Sequence, residues 1–182
     1  MTRASWGAAA GVYRDRRVAS LFFLGFSSGL PLALTGATLA AWFTQSGASL
    51  TEIGFVSLVG IAYALKFIWS PLVDRLPVPV LCRVFGRRRG WMLTSQLLLI
   101  AALVALAMTD PENAGGWTVI FAVCVAFASA TQDIVIDAYR TEILTDKQLG
   151  AGAAMLVFGY RVAMLVSGGG ALLIAGLAGW GW

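Results

Sequence analysis

The chain has no histidine, only two cysteines and few charges of either sign. Without histidine it lacks both the commonest metal ligand and the side chain that most readily carries a proton near neutral pH. Cys82 and Cys124 lie far apart with no CxxC spacing, so they read as packing thiols rather than a redox or zinc motif. No cofactor and no metal site is expected. Charged residues make up 12% of the chain, about half the ~25% of a soluble domain. A water-facing surface cannot be covered with so little polarity. Mean hydropathy is +0.81, and the chain reads as an integral membrane protein with room for about five or six spans of ~20 residues. The net charge of +4 is carried in loops between apolar runs, which suits topology and anionic lipid rather than nucleic acid.

What is present is a series of long apolar runs, and they predict an all-α, polytopic transmembrane bundle. A basic tail, residues 1–17, carries Arg3, Arg14, Arg16 and Arg17 and is expected in the cytoplasm. The bundle, 18–182, is expected to hold helices at about 18–43, 51–73, 91–108, 117–139 and 149–177. The first run is too long for the apolar core of a signal peptide. Its Gly25, Gly29, Pro31 and Gly36 suit either close packing or a bent, pore-lining helix. Of 13 Lys and Arg, all but Lys66 and Arg161 fall in the tail or the loops expected inside. Trp42, Trp69, Trp91, Trp117, Trp180 and Trp182 sit near predicted span ends, as an aromatic belt requires.

The stretch TQDIVIDAYRTE, 131–142, follows the apolar run 117–130 and puts Asp133 and Asp137 four residues apart. On a helix they share one face. A charge facing lipid costs at least ~2.5 kcal/mol, so this face must meet protein. At 1.5 Å per residue, Lys66 and Asp133 lie ~22 and ~24 Å along their helices from the same side, and Arg161 lies ~18 Å from the opposite side. Lys66 either snorkels to the interface or pairs with an acid. Asp133 and Asp137 are the intramembrane groups able to carry a proton. Asp133 either alternates between a protonated and an ion-paired form, or belongs to a fixed pair linking the second, fourth and fifth helices. Arg161 suits a carboxylate, which a guanidinium holds through two hydrogen bonds. Gln132, Thr131, Ser28 and Thr35 are candidate hydrogen-bonding groups for a polar substrate.

The segments LFFLGFSSGLPLALTGATLAAW (21–42), YALKFIWSPLVDR (63–75), FGRRRGW (85–91), TQDIVIDAYRTEIL (131–144) and GYRVAMLVSG (159–168) resemble the AmpG-type muropeptide permeases of the major facilitator superfamily. Related acetyl-CoA importers share part of this pattern. Asp74-Arg75 with Gly86, Arg87, Arg88 and Arg89 resembles the superfamily's loop between helices two and three. Ser70 replaces its first glycine, and residues 76–85 interrupt it. The loop is expected to act as a latch against neighbouring helix ends.

The resemblance implies a multi-pass inner-membrane importer of N-acetylglucosamine–anhydro-N-acetylmuramyl peptides, driven by protons. It also implies twelve or more helices, of which these five form most of the N-terminal half, so the remaining C-terminal helices are expected partners. The alternative class is a non-transporting membrane subunit or fragment whose buried charges only fix packing. With no histidine or metal cluster, and its carboxylates deep in apolar sequence, the chain is not expected to be an enzyme.

Overall fold

A computed structural model describes residues 11–180. Tail residues 1–10, including Arg3, and the terminal Trp182 lie outside the described residues. Seven helices follow a 3-10 turn at Val12–Arg14. They are α1 (Arg16–Gln45), α2 (Leu50–Ile68), α3 (Ser70–Arg75), α4 (Leu81–Phe85), α5 (Arg87–Ala107), α6 (Pro111–Ile143) and α7 (Leu149–Ala178). Five of them, α1, α2, α5, α6 and α7, are long and apolar enough to cross a membrane. The short α3 and α4 lie in the arginine-rich connection between α2 and α5.

Three of the spans start at a side-chain cap. Asp15 caps α1, its Oδ1 accepting from the Arg17 amide at 2.8 Å. A reciprocal Ser49–Glu52 box opens α2, satisfying two amides that the helix leaves without partners. Asp110 caps α6 ahead of Pro111, where a missing N–H costs nothing. The 33 residues of α6 make a rod of ~50 Å, longer than the ~30 Å hydrocarbon layer. Non-helical backbone at Ala114 bends its first turn, so the straight part begins close to Trp117.

The bundle is organised around α6. Its most apolar window is 61% buried, against 39% for α1 and less for the other spans. Leu39, Phe43, Val59, Leu106, Ala122 and Val125 form one core where α1, α2 and α5 meet it. Val73, Ile134 and Val135 form another under Trp69 and Trp91. The outer faces are the reverse of a soluble protein: Phe23, Leu165, Leu173 and Leu177 are at least 69% exposed. In water so much apolar surface drives association; in lipid it is the normal exterior.

The closest helix pair is α1 with α7. A Cβ added to Gly25 would overlap the Leu156 carbonyl, and one on Gly159 would overlap the Phe22 carbonyl. Gly29 meets the Tyr160 carbonyl in the same way. Backbone thus rests on backbone, the arrangement that small residues four apart permit in lipid, where packing rather than water exclusion drives helix association. Both helices widen into a π segment further along, at Leu34–Thr38 and Leu165–Gly170. The two segments face one another, and the Thr38 hydroxyl donates to the Ser167 carbonyl at 3.4 Å. Pro31 lies just ahead of the π segment of α1 and supplies no N–H to the turn before it.

At the arginine-rich face, Arg88 of α5 joins three elements. Its Nη1 lies 2.5 Å from Asp74 Oδ1 of α3, and its Nε lies 2.7 Å from Glu142 Oε1 of α6. The guanidinium is largely covered at 15% exposure, while both carboxylates are about half exposed, at 47% and 48%. Solvent therefore screens each bond, and each contributes no more than about 1 kcal/mol.

Two predictions follow from this packing. Gly159→Leu, with no flexible neighbour to yield, should lower stability by roughly 1–3 kcal/mol or more, whereas Gly176→Ala, in open space, should be neutral or slightly stabilising. Thermal unfolding in detergent measures both, and an unchanged midpoint for Gly159→Leu would contradict the backbone contact. Double-mutant cycles pairing Arg88→Ala with Asp74→Ala, and with Glu142→Ala, should each return about 0.5–1 kcal/mol of coupling. Coupling near zero in both cycles would show that the cluster does not hold these elements together.

Candidate functional site

Thr131 and Gln132 lie in the buried middle of α6. Thr131 hydrogen-bonds its own helix at the Phe127 carbonyl (2.8 Å) and accepts from the Trp69 indole at 3.2 Å. Trp69 also packs on Phe127, with ring centroids 4.7 Å apart. This pins the end of α2 to α6. Gln132 is fully buried and donates through Nε2 to the Ser27 hydroxyl of α1 at 2.8 Å. Its Oε1 has no protein partner.

One residue further on, Asp133 faces Lys66, with Oδ2 and Nζ 3.6 Å apart. Lys66 begins a 3-10 turn, Lys66–Ile68, that tightens the end of α2. Both groups are withdrawn from the surface, at 13% exposure for Asp133 and 34% for Lys66. Asp137 does not share this partner. It is more exposed and lies 3.8 Å from Arg140, one turn along its own helix. The two carboxylates of the i, i+4 face thus have separate cations, one across helices and one local.

A cavity of about 320 Å³ opens beside the Lys66–Asp133 pair. Ser28 of α1, Asp137 of α6, and Tyr160 and Arg161 of α7 complete its polar wall, with Ile136, Leu156 and Val157 as apolar lining. Arg161 forms no ion pair among the described residues, which leaves its guanidinium exposed at this cavity. The structure therefore brings Lys66, Asp133, Asp137, Arg161 and Ser28 around one space. It does not bring Thr131, Gln132 or Thr35 there. The Thr35 hydroxyl donates to the Pro31 carbonyl at 2.7 Å, while Thr131 and Gln132 are engaged between helices.

Of the loop arginines, Arg88 alone enters ion pairs among the described residues. Arg75, Arg87 and Arg89 are exposed and unpaired among the described residues. Gly86 has φ +81, a left-handed conformation that costs glycine little and that lets α5 start immediately after α4.

Reading the sequence as spans and charges passes over three further polar groups. Tyr160, next to Arg161, borders the cavity. The Tyr63 hydroxyl of α2 is buried close to the Ser129 hydroxyl of α6. Tyr63 precedes Lys66 by one helical turn, which was the available signal; a tyrosine in an apolar run otherwise reads as packing. No group of three metal-ligating side chains occurs among the described residues. The arrangement sets Arg161, without an ion pair among the described residues, across one cavity from a carboxylate, Asp133, that Lys66 holds between helices.

Comparison with known sequences agrees with this geometry. Over 164 residues, 90% of this chain, it is 52% identical to the anhydromuropeptide permease of Escherichia coli K12, covering 33% of that protein. An uncharacterized protein of Haemophilus influenzae is 43% identical over 165 residues, 91% of this chain and 38% of its own length. The chain thus spans little more than a third of these curated relatives. Residues 21–182 match the Major Facilitator Superfamily profile. With nearly its whole length matched and four apolar spans packed around a fifth that carries charges, the chain belongs to the Major Facilitator Superfamily.

Proposed function

We propose that this chain is the N-terminal part of a proton-driven importer of N-acetylglucosamine–anhydro-N-acetylmuramyl peptides. On this reading it lies in the bacterial inner membrane with its amino terminus in the cytoplasm, and further helices complete it. The observation that carries the reading is the 52% identity to the E. coli permease across segments that contain Lys66, Asp133 and Arg161. The clustering of arginines on one face supports the orientation, since loops left in the cytoplasm are enriched in Lys and Arg.

The geometry suits the chemistry. Substrate sites in transporters of this kind lie between two halves near the bilayer midplane, so the cavity beside Lys66 and Asp133 is one wall of a larger chamber. Arg161 offers two parallel N–H donors to a peptide carboxylate, and Ser28 and Tyr160 offer hydroxyls to sugar or amide groups. Asp133 holds Lys66 while ionised. On protonation the pair loses its attraction, α2 is released from α6, and the wall can change shape. Gln132, Thr131 and Thr35 act indirectly by fixing the helices that carry these groups.

The direct Lys66–Asp133 contact also favours a second reading, in which the pair only fixes helix packing and the chain does not transport. Both readings meet in one experiment. The chain is joined to the C-terminal two thirds of the E. coli permease in cells lacking their own, and uptake of labelled anhydromuropeptide is followed with membrane levels of the protein. Uptake abolished by a protonophore is expected, with Arg161→Ala and Asp133→Asn each lowering it by tenfold or more at unchanged protein level. The exchanged pair Lys66→Asp with Asp133→Lys should regain protein level without regaining uptake. Recovery of full uptake by the exchanged pair would assign it to packing alone, and a well-inserted chimera without uptake would overturn the transport reading.

A further inference from the structure

The connection between α2 and α5 contains a segment that neither the latch nor the cavity uses. Residues 76–85 interrupt the loop pattern between Asp74-Arg75 and Gly86-Arg87. They include two prolines, a backbone outlier and the five-residue α4. Val80 has φ 70 and ψ −63, and the Leu81 amide bonds back to the Pro79 carbonyl at 2.9 Å. Together these make a tight γ-turn, which is rare and strained for a β-branched residue. Such strain persists only where surrounding structure holds it.

Cys82 supplies the hold. Its Sγ accepts from the Val78 amide at 3.1 Å and lies 3.6 Å from the Arg87 carbonyl. Gly90 of α5 leaves room for it, since a Cβ there would come within 2.8 Å of the Cys82 amide nitrogen and Sγ. With Cys82 turned inward, the opposite side of α4 turns out. Val80 and Val84 are 68% and 69% exposed, Leu76 and Phe85 about half. Arg83, Arg87 and Arg89 stand exposed beside them without ion pairs among the described residues. The Trp91 indole, hydrogen-bonded to the Leu76 carbonyl at 2.7 Å, ties the start of the segment to the first turn of the α5 span.

Four exposed apolar side chains fixed among unpaired arginines do not suit water. They sit where α2 and α3 end and α5 begins, at the ends of two apolar spans, which is the depth at which a bilayer carries its headgroups. An amphipathic element at that depth places its apolar side chains at the acyl boundary and its cations on lipid phosphates. We propose that residues 76–89 form a docking surface for anionic phospholipid, with Val80, Val84 and Phe85 inserted and Arg83, Arg87 and Arg89 on the headgroups. The charge pattern selects this occupant: residues 76–89 contain no carboxylate, and the half-exposed Asp74 beside them is already paired with Arg88.

Hydrogen exchange followed by mass spectrometry tests it on the whole chain in lipid nanodiscs. Amides of residues 76–86 should exchange at least tenfold more slowly in a phosphatidylcholine–phosphatidylglycerol mixture than in phosphatidylcholine alone. Each arginine near an anionic surface is worth about a fivefold factor, so the R83Q/R87Q/R89Q variant should lose the difference. V84S/F85S should lose it too, with exchange in α5 unchanged as the check on folding. Equal exchange in the two lipids would overturn the proposal. So would equal slowing by inorganic phosphate in phosphatidylcholine, which would indicate a simple anion site, or slowing that grows with protein concentration, which would indicate contact between copies.

Discussion

Hydrocarbon offers no water to a polar group, and this shortage arranges the whole bundle. The middle of α6 carries Ser129, Thr131, Gln132 and Asp133 in succession around a helix otherwise built of alanine, valine and isoleucine. None of these can face lipid without a cost of kilocalories, so α6 must be surrounded. Ser27 of α1 meets Gln132, Trp69 meets Thr131, and Lys66 of α2 meets Asp133. The same contacts that satisfy α6 therefore fix where α1 and α2 stand. The small residues of α7 then allow it to close on α1 backbone to backbone.

Much of this architecture is legible in the amino-acid order. Long apolar runs separated by arginines and marked by terminal tryptophans leave few alternatives to a helical bundle, because length and hydropathy report a physical necessity. The depth of Lys66 and Asp133 also follows from counting rises of 1.5 Å along each helix, and that count places them opposite one another. Their separation from Asp137 does not follow. It depends on the 3-10 turn that rotates Lys66, and on Arg140 reaching back one turn. Likewise, three consecutive arginines at 87–89 are equivalent as text, and only the helix direction chooses Arg88 for the pairs with Asp74 and Glu142.

The hydroxyl groups show a different limit. Thr35 and Thr131 look like ready donors for a sugar, yet both donate to a carbonyl four residues back. In a dry environment a short hydroxyl satisfies itself on its own helix before it waits for a solute. Long or charged side chains cannot do so, which is why Arg161 and Lys66 remain at the cavity while the threonines turn away. Polar character along a span therefore overstates the number of groups open to a solute.

The backbone contact between α1 and α7 has a consequence in time. Gly25 and Gly159 are 134 positions apart, and a ribosome adding ~5–20 residues per second takes roughly 7–27 s to cover that distance. Throughout that interval α1 stands in the bilayer with its glycine groove filled by lipid. Assembly of the pair is then a displacement of acyl chains by a late helix, so its speed depends on how readily the surrounding lipid leaves as well as on the protein.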